Sequence, residues 1–267
     1  MDVTEILGYL GAVIVGLVLG LIGGGGSILT VPILVYLIGL NPIVATAYSL
    51  FVVGVTSCIG TFQNIKKGRV DFKTAIIFSI PAFIAVFLTR RFLVPMIPAE
   101  VFTVGEFTVT NNIFIMVFFA IIMLLASISM IRNRKDKVEE SSHQNIQFNY
   151  PLIALEGIGV GILTGIVGAG GGFLIIPALV ILAKLPMKTA VGTSLLIIAI
   201  KSLIGFLGDI ANLEIDWNFL LIFTFLSIVG IIIGVWLSKF ISGKKLKRGF
   251  GYFTLFMAIY IIYKELF

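Results

Sequence analysis

GLIGGGGSILTVP, from Gly20 to Pro32, decides how this chain is read, because it returns 145 residues later as GIVGAGGGFLIIP, from Gly165 to Pro177. Each copy interrupts an apolar run with clustered glycines. Glycine is less favourable than alanine in a helix by about 1 kcal/mol per residue, and it bares backbone groups that hydrocarbon cannot satisfy. Such a break belongs where protein or a polar cavity covers it. A duplicated break inside apolar helices predicts the core of a transporter.

The rest of the composition agrees. Over 267 residues the chain is 59% hydrophobic and only 12% charged, with a mean hydropathy of +1.15, which excludes an ordinary soluble surface. Apolar runs of about 18 or more residues recur, each long enough to cross ~30 Å of hydrocarbon as a helix, whereas a membrane barrel would show short alternating segments. The expectation is an all-α polytopic protein in the lipid bilayer of the cell membrane. The N-terminal MDVTE lacks the basic region and cleavage site of a signal peptide, so the first run is expected to remain as a helix. Cys58 lies in an apolar run and is expected to pack there, with no partner for a disulfide or thiolate metal site; His143, beside Glu139 and Glu140, reads as a solvated loop residue. No cofactor is implied. The net charge of +6 comes from basic residues scattered over loops, so it signals topology and not nucleic acid.

Boundaries of polarity, glycine and proline divide the chain into ten segments, at about 5–22, 27–39, 43–63, 73–92, 112–131, 152–168, 173–184, 187–208, 217–238 and 248–264. The second and seventh are short, and each follows a glycine break. A fixed offset of 145 aligns Gly20–Asp71 with Gly165–Asp216 without a gap, with 18 identities in 52 positions, among them Gly23/Gly168, Gly25/Gly170, Gly26/Gly171, Pro32/Pro177, Ser49/Ser194, Ser57/Ser202, Gly60/Gly205 and Asp71/Asp216. This predicts two repeats, residues 1–138 and 151–267, joined by a linker at 139–150.

Loop charges orient the repeats. The basic loops around Lys66, Lys67, Arg69 and Lys73, the linker with Arg132, Arg134, Lys135 and Lys137, the turn with Lys184 and Lys188, and the loop from Lys239 to Arg248 all belong in the cytoplasm by the positive-inside rule. Ten segments with both termini outside satisfy all four, leaving Asp209, Glu214 and Asp216 outside together with the stretch from Leu93 to Asn112 and the adjoining Arg90 and Arg91. Eight crossings would put the loops at 66–73 and 239–248 on opposite sides. Each glycine-linked pair can either cross fully or dip in and return. Either way the repeats are inverted, with Asp71 inside and Asp216 outside.

With its paired Gly-rich segments, Pro32 and Pro177, the Asn41-Pro42 and Leu185-Pro186 turns, the Ala-x-x-x-Ser-Leu patterns at Ala45–Leu50 and Ala190–Leu195, and the aspartate corners at Asp71 and Asp216, the chain resembles the sulfite exporter TauE/SafE family over nearly its whole length. The resemblance implies transport of small anions such as sulfite and organosulfonates. The stretch from Leu93 to Asn112 is longer than the family pattern requires.

The residues offer suitable chemistry. A glycine loop opening into a helix presents unpaired N–H groups and a partial positive charge to an oxyanion. Gly24, Gly25 and Gly26 of the first break and Gly170, Gly171 and Gly172 of the second are therefore candidate substrate-binding positions, with hydroxyls from Ser27, Thr30, Ser49 and Ser194 and, further, Thr46, Tyr48 and Thr193. Small residues here also serve close helix packing. Lys201 stands in an apolar run about 12 Å before Asp209. A central lysine costs ~2.5–3.5 kcal/mol on insertion scales, so it must face a cavity, reach a partner or snorkel; a counter-charge for an anion is the favoured role. Its counterpart is Thr56. Glu156 reads as interfacial. Enzyme chemistry is not expected: neither glycine run ends in the Lys-Ser/Thr of a phosphate loop, and no histidine stands near a serine nucleophile. A small anionic substrate carried between the repeats is the expectation, with an anion channel or a non-transporting assembly protein as alternatives; a homodimer is compatible with the pattern.

Overall fold

The computed structural model describes residues 3–24, 26–104, 107–131, 150–168, 170–181, 183, 185–238, 240 and 243–266. Ten α-helices are found among them: α1 Val3–Ile22, α2 Ser27–Tyr36, α3 Pro42–Ile65, α4 Phe72–Leu88, α5 Asn111–Ile131, α6 Tyr150–Val167, α7 Gly172–Ile181, α8 Met187–Asp209, α9 Trp217–Leu237 and α10 Gly243–Leu266. A π-helical turn, Thr89–Leu93, prolongs α4. Five of these helices, α3, α4 with its π turn, α5, α8 and α9, are long and apolar enough to span a membrane by length and composition. The short helices α2 and α7, ten residues each, fall where the glycine breaks predict them.

The all-α expectation needs one correction. The long stretch after α4 contains an antiparallel hairpin, β1 Glu100–Val104 paired with β2 Phe107–Thr110. Both strands are built from β-branched and aromatic residues, which suit a pleated backbone better than a helix.

Helix starts follow polar caps. The Asn41 side chain accepts from the Ile43 N–H at 2.9 Å with Pro42 at the first helical position, the Asp71 carboxylate caps α4 by accepting from the Thr74 N–H at 2.8 Å, and Asp216 caps α9 from the Phe219 N–H at 3.1 Å. Caps of this kind contribute about 1 kcal/mol. The two aspartates are tied across the molecule as well. The Asp71 N–H donates to Thr193 Oγ1 at 2.9 Å, and the Asp216 N–H donates to the Tyr48 hydroxyl oxygen at 2.6 Å. Asp71/Asp216 and Tyr48/Thr193 are pairs of the 145 offset, so each half caps a helix and then bonds that cap to the other half.

Glycines bring the long helices together. Gly16 and Gly20 of α1 lie against Ser227, Ile231 and Val235 of α9, while Gly230 and Gly234 lie against Val13 and Leu17. Numbers rise together, so α1 and α9 run parallel. In α6, Gly157, Gly161 and Gly165 meet Phe78, Ala82 and Thr89 in the same parallel sense. By contrast, Gly54 of α3 meets Leu203, Gly60 meets Leu195 and Gly205 of α8 meets Leu50, so α3 and α8 run antiparallel. Under the offset, the α1–α9 pair maps onto α6–α4, and the α3–α8 pair maps onto itself. Absent side chains let backbones approach, which is how helices gain contact in a medium that offers no hydrophobic drive between them.

The short helix α2 folds back along α1, placing Ile33 beside Gly11, Ile38 beside Gly8 and Gly26 beside Leu19. The pair is a helical hairpin, with α2 running antiparallel to α1. A core of α1, α2, α5 and α10 residues, including Val15, Ile28, Met116, Phe119 and Ile261, holds that hairpin against α5 and α10. On the outside, Ile76, Ile80, Ile84 and Leu88 form an exposed stripe along α4, and Leu221, Phe225, Ile232 and Trp236 are exposed on α9. Apolar faces of this extent are normal only against hydrocarbon. The chain is an integral membrane protein.

One sequence reading changes here. Cys58 does not pack in the core; it is exposed on α3. Arg90, near the end of the fourth expected segment, lies fully buried in the π turn. His143 falls outside the described residues.

Candidate functional site

The two chain breaks meet inside the bundle. A Cβ placed on Gly24 would overlap the Gly172 backbone, and one placed on Gly172 would overlap Gly24. Gly170 stands beside Val53, Ile198 and the Ser27 side chain. Gly170 and Gly171 take the left-handed region at φ +63° and +68°, where any other residue is strained. The start of α2, the start of α7 and the middles of α3 and α8 therefore converge.

Lys201 reaches this junction from α8. It is only 1% exposed, its ammonium donates to Thr164 Oγ1 at 2.7 Å, and a Cβ on Gly171 would come within 2.8 Å of Nζ. Only a glycine leaves that space open. The Thr164 hydroxyl in turn donates to the Val160 carbonyl at 2.7 Å, so its oxygen is oriented to accept from the lysine. An ammonium carries three N–H donors, and no carboxylate pairs with this one among the described residues. Burial of a cation without a counter-charge is costly, and an anion or water against it would lower that cost. Snorkelling is excluded by the burial.

The other predicted residues divide. Gly24, Gly170, Gly171, Gly172 and Ser27 are brought together around the junction; Gly25 lies outside the described residues. Gly26 precedes α2 without any side-chain cap, and the Ser27 hydroxyl is spent on the Gly24 carbonyl at 2.7 Å. Thr30 and Ser49 are buried with unpartnered hydroxyls, as are Thr56, Ser57 and Ser202. Ser194 donates to the Val191 carbonyl and Thr46 to the Ile43 carbonyl of its own helix. Because α3 and α8 are antiparallel, Ser49 and Ser194 lie near opposite ends of the pair and do not join one site. Glu156 is half-buried on α6.

Sequence reasoning missed Thr164, whose only signal is a hydroxyl one turn before the end of α6. It also missed the buried pair of Arg90 and Asp209, with Nε 3.5 Å from Oδ2 and both side chains at most 4% exposed. Arg91, exposed, reaches Asn212 Oδ1 at 3.4 Å. Asp209 reads from sequence as a loop acid only because it ends an apolar run.

An apolar helical bundle, interrupted at matching glycines beside a buried lysine that no carboxylate pairs among the described residues, fits the class of membrane transporters, to which the family and relatives below assign it. It belongs to the sulfite exporter TauE/SafE family, whose model matches residues 8–261. A probable membrane transporter protein of Xylella fastidiosa (strain 9a5c) is 30% identical over 255 residues, covering 94% of this chain and 92% of the relative. The probable membrane transporter protein YunE of Bacillus subtilis (strain 168) is 30% identical over 234 residues, covering 78% and 81%. No solved structure matches.

Proposed function

We propose that this chain is a secondary transporter of the cell membrane that exports small sulfur-containing anions, such as sulfite or organosulfonates, by alternating access between two inverted repeats, residues 1–138 and 151–267. The observation that carries the reading is Lys201: a buried ammonium with donors to spare, facing backbone bared by Gly171 where the two broken hairpins meet. A small oxyanion supplies what that site lacks, and the uncapped start of α2 favours negative charge at the same place. A cytoplasmic linker at 139–150 joins the repeats. The substrate class follows from family membership combined with this geometry.

The antiparallel packing of α3 on its own counterpart α8 supports the inverted arrangement. Eight crossings with both short helices turning back would make those two helices parallel, whereas the scheme that puts the basic loops inside makes them antiparallel. It also makes α1 parallel to α9 and α4 parallel to α6, as the glycine contacts have them. Both termini then lie outside. Inverted repeats that interlock through crossed caps can rock about the α3–α8 contact and expose one junction to either side.

Reconstitution into liposomes tests the reading. Saturable sulfite or sulfonate flux with counterflow is expected. Flux without saturation would mean a channel, and absence of substrate-dependent flux from a folded protein would mean an assembly role.

A further inference from the structure

Arg90 and Asp209 lie where α8 ends, about 12 Å along the helix from Lys201, and neither takes part in the junction. Arg90 is 0% exposed. Its Nε, Nη1 and Nη2 all lack a hydrogen-bond partner, as does Asp209 Oδ2; the two side chains meet only through the 3.5 Å contact between Nε and Oδ2. A guanidinium has five donors in a fork that fits a planar or tetrahedral oxyanion through two bonds, so a single long contact leaves it far from satisfied. It sits on a π turn, a helix defect common at functional sites. At the matching positions of the other half stand Val235 and Asn64, both uncharged. The pair is therefore not something the fold requires twice.

We propose that Arg90 is a second oxyanion-binding residue, filled by Asp209 in this conformation, and that an incoming anion displaces Asp209, which takes up a proton. This rests on the transport reading. The charges balance in one way. With Asp209 ionised the buried pair is neutral; a monoanion on Arg90 would leave Asp209 as a buried, unpaired negative charge, so Asp209 accepts a proton from water on the side the anion enters and releases it to water on the side the anion leaves. One anion then moves with one proton, without net charge.

The surroundings leave Asp209 as the group that titrates. Helices α4, α6 and α8 pack against the π turn. Their titratable groups other than Asp209 are Lys73 in the first turn of α4, Tyr150 at the first position of α6, Glu156 more than two turns before Gly165 on α6, and Lys188 and Lys201 on α8; Lys201 is engaged by Thr164. Within the turn itself, Arg91 points to Asn212. Beyond the helix, Glu214 is exposed and Asp216 caps α9.

Methanesulfonate, a monoanion at every pH of interest, separates the outcomes in liposomes holding a trapped pH dye. An inward methanesulfonate gradient should acidify the lumen through the wild-type protein, with one proton entering per anion. In Asp209→Asn the number of protons entering per methanesulfonate carried should fall from about one to none. The neutral pair Arg90→Gln/Asp209→Asn, which leaves no unpaired charge and guards against misfolding, should lose flux by about tenfold or more, the effect of a lost charged contact. Wild-type flux without acidification, or Asp209→Asn flux that still acidifies, overturns the proposal and leaves the transport reading intact. Absence of flux in the wild type overturns both.

Discussion

The two halves of this molecule share a backbone and differ in charge. At the middle of α8, Lys201 meets Thr164 and Gly171. The offset matches those three residues with Thr56, Leu19 and Gly26; Thr56 is a buried hydroxyl with no partner, and Leu19 is apolar where Thr164 is polar. The difference recurs at the helix ends, where Arg90 and Asp209 correspond to Val235 and Asn64. Asn64 bonds the Gly60 carbonyl of its own helix at 2.8 Å. Duplication thus supplies the frame, crossed caps and paired breaks included, while the buried charges gather on α8 and the surfaces it touches. Under the proposed transport reading, a substrate crossing such a site would meet a charged half and a neutral half, and the two access states would differ in energy even though their scaffolds match.

The largest effect is expected from removing the charge that distinguishes the halves. Lys201→Met should reduce anion flux by about 100-fold, the scale of losing a buried charge contact, without lowering thermal stability, since an apolar side chain of similar length fills the same space. Moving the charge sharpens the comparison. In Thr56→Lys/Lys201→Thr, flux should recover partly above Lys201→Thr alone if the scaffold is what the halves share; equal flux in both variants would show that Thr164 and Gly171 cannot be replaced by Leu19 and Gly26.

Blocking the junction comes next. Gly172→Ala places a Cβ on the Gly24 backbone, and overpacking of this sort costs about 1–3 kcal/mol, read as a fall in the unfolding temperature in detergent together with lost flux. Thr164→Val leaves Lys201 without its acceptor and should weaken anion binding while destabilising the protein by about 1–3 kcal/mol. Smallest of all are the caps. Asp71→Ala and Asp216→Ala should each cost about 1 kcal/mol, and by similar amounts, because each removes one cap in an equivalent setting; unequal losses would break the equivalence of the halves.

Much of this was legible in the sequence, because glycine clusters, prolines and capping aspartates act locally and leave their mark at fixed positions. The breaks and the short helices follow from such marks. The hairpin at 100–110 did not, since a short polar-apolar stretch between long helices carries little periodic signal. Arg90 was hidden for another reason. Its burial depends on a π turn and on Asp209, more than a hundred residues away, and nothing adjacent to it in sequence reports that pairing. Likewise Thr164 acquires its role only when α6 is laid beside α8, and the antiparallel course of α3 and α8 separates Ser49 from Ser194, which alignment alone would have placed together.

Thermal unfolding of the purified protein with sulfite, thiosulfate, sulfoacetate and short carboxylates, run in parallel on the wild type and Lys201→Met, tests the central claim most directly, because a ligand that binds only the folded state raises its apparent stability. The wild type should be stabilised saturably by at least one sulfur-containing anion, and Lys201→Met by none. Equal stabilisation of both proteins, or of neither, would contradict an anion site built on Lys201.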